Sequence, residues 1–218
     1  MLLTGYGLRE WLTITIVSLL LALGAWWLGW WWAIALVAVV WFALVSFFRD
    51  PLFRRAATNE PNDFLSPADG TVSAVFTVPE HAATAGRPAL VIRIFLSVLN
   101  VHLNRAPCDG EVVALLHTPG KFLDARSEES ALVNESNLIT MRDQAGRSIG
   151  IRQVSGAIAR RIVCPLKVGD RLARGQRFGM IKFGSTTELI LPNPDRMTSL
   201  VKKGDKVTGG VTILARPK

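Results

Sequence analysis

The 218-residue chain reads as a mainly β protein carried on an N-terminal hydrophobic helical hairpin. Three observations predict this class. An uncharged run of 38 residues extends from Trp11 to Phe48. Beyond it the composition changes to short Val/Ile/Leu-rich runs punctuated by Gly, Pro and Asp, the pattern of many short strands. Two turn motifs then occur twice each, which predicts a pseudo-repeated β sandwich or barrel.

At about 1.5 Å per residue the uncharged run would make a helix of about 57 Å, almost twice the ~30 Å hydrocarbon core of a bilayer. Two helices back to back fit better than one. All seven tryptophans lie between Trp11 and Trp41, and five of them fall between Gly24 and Trp32. Gly24 and Gly29 permit a turn there, and indole rings settle at the membrane–water interface. The expected helices run near 8–25 and 30–48. Arg9 precedes the run and Arg49, Arg54 and Arg55 follow it. Positive flanks stay cytoplasmic, so both ends of the hairpin and everything after it are expected on the cytoplasmic face of the cell membrane. The run is too long for a cleaved signal peptide; a shallow hairpin that does not span stays open. Arg49-Asp50-Pro51 stops the second helix. The division is then an anchor at 1–50, a polar linker at 51–62 and one domain at 63–218.

Lys and Arg number 25 against 17 Asp and Glu, a net +8. The anchor holds Arg9 and Arg49 against Glu10 and Asp50, so the whole excess belongs to the linker and the domain. A basic domain tethered at a membrane is attracted to anionic head groups. Nucleic acid is the competing partner, but no Trp or Tyr follows residue 48 to stack on bases, and the basic residues are dispersed. Cys108 and Cys164 each sit beside a proline, without Cys or His at metal-ligand spacing, and read as buried thiols.

Strands are expected near 70–78, 89–96, 111–117, 137–142, 148–155, 177–182, 188–191 and 211–215, with a short helix or mobile loop at 122–132. Pro67-Ala68-Asp69-Gly70 recurs as Pro107-Cys108-Asp109-Gly110, and Gly169-Asp170 through Gly175 recurs as Gly204-Asp205 through Gly210. Each marks a tight turn before a strand. The second pair resembles the Gly-Asp turns of biotinyl and lipoyl carrier domains, which is a statement about fold.

Phe183-Gly184-Ser185-Thr186-Thr187 is the candidate reactive segment. Gly184 presents an uncrowded carbonyl, and the Ser185 hydroxyl can attack it once a base takes its proton. Elimination of the resulting ester leaves a dehydroalanine that hydrolyses to a pyruvoyl group. Three histidines are available as the base. His81 lies in a polar loop expected to be exposed, and His117 ends an apolar strand. His102 follows the apolar run Ile94–Val101 and suits a base best. Asp69 reads either as a turn-capping residue, as Asp109 does, or as the group orienting that histidine.

Ser66-Pro67-Ala68-Asp69-Gly70, then Asn100 through Gly110, then Phe183-Gly184-Ser185-Thr186 occur in the order found in phosphatidylserine decarboxylase proenzymes. From about Asp50 onward the chain resembles the short form of that family; Asn134-Glu135 and the apolar anchor are similar too. The resemblance implies cleavage between Gly184 and Ser185 into a β chain 1–184 and an α chain 185–218. It also implies a pyruvoyl cofactor derived from Ser185, with no metal and no pyridoxal phosphate. The serine amine of phosphatidylserine would join it as a Schiff base, lose carbon dioxide and leave as phosphatidylethanolamine. Longer members carry a second histidine where this chain has Arg105. Arg105 therefore reads either as a contact to substrate phosphate or carboxylate, with Thr186 beside it, or as a surface arginine.

Two other functions fit parts of the chain. A membrane-anchored biotinyl/lipoyl-type carrier without catalysis would need a lysine at a hairpin tip, and Lys182 is the nearest. A pyruvoyl decarboxylase of free amino acids would have little use for the anchor. Apolar sheet edges make a homodimer a reasonable expectation.

Overall fold

The computed structural model describes residues 2–124, 127–157, 161–182 and 185–218. The chain forms two compact units, Met1–Phe53 and Arg54–Lys218.

In the first unit, helices α1 (Leu8–Trp27) and α2 (Trp31–Ser46) form the expected hairpin. Gly29 turns the chain between them at φ +71°, a conformation that other residues rarely adopt. The Trp41 indole N–H donates to Thr15 Oγ1 at 3.0 Å, tying the helices together. At the open end the Thr4 N–H donates to the Phe48 carbonyl and the Asp50 N–H to that of Leu2. The helical stretch Gly5–Trp27 spans 23 residues at mean hydropathy 1.6, long and apolar enough to cross a membrane. Helix α2 is shorter, at 16 residues. Leu19, Leu20, Trp27 and Val39 are exposed, as on a surface that meets lipid.

The second unit is mainly β. Its strands are β1 (Phe64–Leu65), β2 (Gly70–His81), β3 (Arg87–Leu96), β4 (Leu103–Arg105), β5 (Gly110–Thr118), β6 (Ser136–Asp143) and β7 (Ser148–Val154). They continue as β8 (Ile162–Val163), β9 (Arg171–Leu172), β10 (Arg177–Ile181), β11 (Ser185–Pro192), β12 (Met197–Ser199), β13 (Lys206–Val207) and β14 (Ile213–Pro217). One short helix, α3 (Glu128–Val133), stands in the segment expected as helix or loop. Eight strands form a curled antiparallel half-barrel in the order β13-β2-β3-β11-β7-β6-β5-β9. Two three-stranded sheets, β1-β14-β12 and β4-β10-β8, accompany it.

That order is symmetric about its centre. Strands β13, β2, β3 and β11 correspond to β9, β5, β6 and β7, and the two small sheets correspond to each other. The registers agree residue by residue. Thr71 pairs with Phe95 as Glu111 pairs with Arg142, and Ile92 pairs with Leu189 as Ile139 pairs with Ile151. The repeated turns explain why. Asp69 Oδ1 accepts the Gly209 N–H at 2.9 Å, and Asp109 Oδ1 accepts that of Arg174 at 2.8 Å. Each Pro-x-Asp-Gly turn of one half is thus capped onto a Gly-Asp turn of the same half. Each half has its own core, around Ile92, Ile94 and Leu189 in one and Ile139, Met141 and Ile151 in the other. The edges of the eight-stranded sheet are the two-residue strands β13 and β9, which offer little ladder to a partner there.

His81 departs from expectation. It is half-buried, and its Nδ1 accepts the Ala83 N–H at 3.1 Å to cap a 3₁₀ turn. Burial lowers its pKa below the usual 6.5; Glu188 opposes that shift and Arg152 adds to it. The unfolded chain therefore takes up a proton at a higher pH than the folded one. Stability from this group is complete above the unfolded value of 6.5 and is lost as pH falls through it towards the folded value. Thermal melts at pH 7.5 and 5.5 are expected to show a lower midpoint at pH 5.5. The difference should shrink in His81→Asn, which keeps a capping acceptor and cannot titrate.

Cys108 is buried, and desolvation raises its thiol pKa to about 12. Burial also raises that of Cys164.

Candidate active site

The half built from β4 to β10 is inserted into the other half, between β3 and β11. The chain leaves the first half after Leu96 and re-enters it at Ser185. These two residues pair across the sheet, so both crossovers meet at one end of β11. The outgoing crossover carries His102. The return crossover carries the Gly184–Ser185 bond, of which Phe183 and Gly184 lie outside the described residues.

Ser185 opens β11 in the middle of the half-barrel, between β3 and β7. Side chains alternate along a strand. Thr187, Leu189 and Leu191 turn to the interior, Glu188 and Ile190 to the opposite face, so Ser185 points inward. It is fully buried, and its Oγ has no hydrogen-bond partner among the described residues. A buried hydroxyl left in this state is costly and calls for an explanation.

His102 is also fully buried. Its carbonyl accepts the Ile181 N–H at 3.2 Å, which lays it against the return crossover. Its Nδ1 stands 3.0 Å from the Asn100 carbonyl, which only accepts, so Nδ1 carries a proton. Asn100 Oδ1 in turn accepts from the N–H and the hydroxyl of Ser97, fixing the crossover. The other half shows what these positions do: Asn62 and Arg147 correspond to His102 and Ser185, and Arg147 Nη2 donates to Asn62 Oδ1 at 3.1 Å.

A profile of the phosphatidylserine decarboxylase family matches residues 42–215. The phosphatidylserine decarboxylase proenzyme of Rhodopirellula baltica is 43% identical over 213 residues, covering 96% of this chain and 86% of its own length. That of Pelobacter propionicus is 46% identical over 178 residues, covering 80% and 79%. That of Ralstonia nicotianae is 44% identical over 188 residues, covering 86% and 83%. The chain belongs to the phosphatidylserine decarboxylase family.

Asp69 caps its turn, one of the two roles expected of it. Arg54 holds both of its oxygens, with Nη2 to Oδ2 at 2.7 Å and Nη1 on Oδ1, and Oδ1 also takes the Gly209 N–H. The group facing His102 Nδ1 is a backbone carbonyl, and Asp69 fastens a turn, as Asp109 does. Arg105 is buried, which overturns the surface alternative; its Nη1 donates to the Gly175 carbonyl at 2.9 Å, and its stem passes the Gly210 turn. Thr186 is buried on the face of β11 opposite Ser185. Lys182 is 6% exposed, so it is not presented as a carrier lysine would be. Asn134 pins the segment around α3 to the end of β7: its side chain bonds both backbone groups of Leu123, and its Nδ2 also donates to the Ser155 carbonyl at 2.8 Å.

The sequence reading missed two polar groups around β11. Glu188 is 4% exposed at its side chain and binds Arg93 Nε at 2.7 Å and Arg152 Nη1 at 3.2 Å, joining β3, β11 and β7 on the outer face. Removing one member of a buried ionic group leaves the others uncompensated. Glu188→Ala is expected to cost about 3 kcal/mol, read as a lower urea midpoint. The second is a chain of buried amides: Asn137 Nδ2 donates to Gln153 Oε1 at 3.1 Å, Gln153 Nε2 to Asn104 Oδ1 at 2.9 Å, and Asn104 Nδ2 to Thr187 Oγ1 at 3.0 Å. These residues were unremarkable singly; only the pairing of distant strands makes them a group.

Proposed function

We propose that this chain is a membrane-anchored, self-processing phosphatidylserine decarboxylase that cuts itself between Gly184 and Ser185. The observation that carries the reading is the buried Ser185 hydroxyl, without a hydrogen-bond partner among the described residues, at the joint of the two crossovers. A hydroxyl kept out of structural hydrogen bonds is available as a nucleophile.

His102 Nε2 takes the Ser185 proton as Oγ attacks the Gly184 carbonyl. The C–N bond breaks in favour of the new C–O bond, and the amine receives a proton. Loss of the Ser185 α-proton then expels Gly184 as a carboxylate and leaves dehydroalanine, whose imine tautomer takes up water and releases ammonia. The pyruvoyl ketone so formed supplies an electron sink that condenses with the serine amine of the substrate and accepts the electrons freed as carbon dioxide leaves. Its place fits: the new N-terminus sits in a buried strand held on both sides. The Asn100 carbonyl holds the His102 ring, and the burial of His102 and Ser185 limits water. Arg105 is spent at least in part on the Gly175 carbonyl, which favours a supporting role over direct contact with the head group. The basic residues flanking the hairpin favour a cytoplasmic orientation, and the net charge of the domain favours an anionic bilayer.

Intact mass measurement of the purified chain tests this reading. The expected result is a 34-residue C-terminal fragment, starting at Ser185, that reacts with a hydrazide. Uncut, active protein would overturn it. The fragment should remain bound under native conditions and separate only in denaturant, because β11 pairs with β3 and β7, β13 with β2 and β14 with β1.

A further inference from the structure

We infer that Asn104, backed by Gln153 and Asn137, is a positioning residue that sets the alignment of His102 with Ser185 through Thr187. The inference rests on the functional reading above. His102 leads into β4 and Ser185 opens β11, which belong to different sheets: among the described residues β4 pairs only with β10, and β11 only with β3 and β7. No backbone ladder therefore fixes one against the other. The side-chain bond from Asn104 Nδ2 to Thr187 Oγ1 crosses that gap. Asn104 stands two residues after His102, and Thr187 two residues after Ser185, so in extended chain each shares a side with the reactive residue before it.

The other half of the fold shows that the polarity is not a packing requirement. Asn104, Asn137, Gln153 and Thr187 correspond to Phe64, Leu90, Leu191 and Ile149, all buried in one apolar core. The pair Asn137–Gln153 occupies the place of the pair Leu90–Leu191. The same backbone is thus built once with four apolar side chains and once with four hydrogen-bonded polar ones. The polar version lies beside Ser185. Burying amides costs free energy unless each is paired, and here Gln153 and Asn104 both accept and donate, with Asn137 donating at one end and Thr187 accepting at the other. Asn104 also directs Nδ2 to the Pro67 carbonyl at 3.4 Å, next to the Asp69 turn. A directional contact of this kind specifies position in a way that apolar packing does not.

Thr187→Val removes the hydroxyl at nearly constant shape, and Thr187→Ser retains it. In freshly translated chain, Thr187→Val should lengthen the half-time of self-cleavage about 10- to 100-fold, the size of effect expected from a misplacement of about 1 Å. In the cleaved fraction kcat should fall about 10-fold or more with KM nearly constant, and Thr187→Ser should stay within about 3-fold of the parent chain. The quadruple change Asn104→Phe, Asn137→Leu, Gln153→Leu and Thr187→Ile copies the other half. It should cleave slowly while unfolding at or above the parent's denaturant midpoint. If it does not fold, the two Thr187 variants decide. Cleavage and kcat of parent-like size in Thr187→Val, or equal losses in Val and Ser, overturn the inference. An uncut parent chain overturns the functional reading instead.

Discussion

Ser185→Ala is expected to yield a full-length chain of 218 residues with no fragment and no decarboxylation. Under the proposed function the single oxygen removed is both the nucleophile of cleavage and the atom whose loss creates the ketone, so no partial activity should survive. Removal of a nucleophile of this kind lowers rates by about 10⁴-fold or more. Stability should move the other way. Ser185 Oγ is buried without a hydrogen-bond partner among the described residues, and a hydroxyl in that state is worth about 1–3 kcal/mol less than one that is satisfied. Ser185→Ala should unfold at a denaturant midpoint equal to or above that of an uncut parent chain. A fragment from the variant would show that another group attacks Gly184. A marked loss of stability would mean that the hydroxyl is engaged structurally.

His102→Ala should slow self-cleavage about 10²- to 10⁴-fold, the usual contribution of a positioned general base. The side chain is fully buried, so truncation also opens a cavity, at a cost of about 2–4 kcal/mol. His102→Gln separates these effects. It fills most of the space and can still donate to the Asn100 carbonyl, but it offers no base. Slow cleavage with a near-parental unfolding midpoint in His102→Gln is the expected outcome, followed by gel from the time of translation. Parent-like cleavage there would remove His102 from the proteolytic step.

Asp69 shows where motif reading stops. Its sequence match to Asp109 made a capping role visible, since both precede Gly at a turn. The choice between capping and orienting a histidine depended on Arg54, and on Gly209 at the far end of the chain. Arg105 failed as a surface residue for a similar reason: its burial comes from turns at Gly175 and Gly210 that pack around its stem. Lys182 looked available for modification, yet it is buried.

The sequence alone determined the apolar hairpin, the repeated Asp-Gly and Gly-Asp turns, most of the longer strands and the Gly-Ser segment. These are local properties, set by hydropathy over one helix length, by alternation over one strand, or by backbone freedom at one glycine. Only the tertiary structure decided that one half is inserted into the other, so that residues 102 and 185 share a joint. It also decided that an amide chain joins strands more than 80 residues apart, from Asn104 to Thr187. Such contacts carry no spacing signature, because they arise from sheet order and register, which many distant side chains set together.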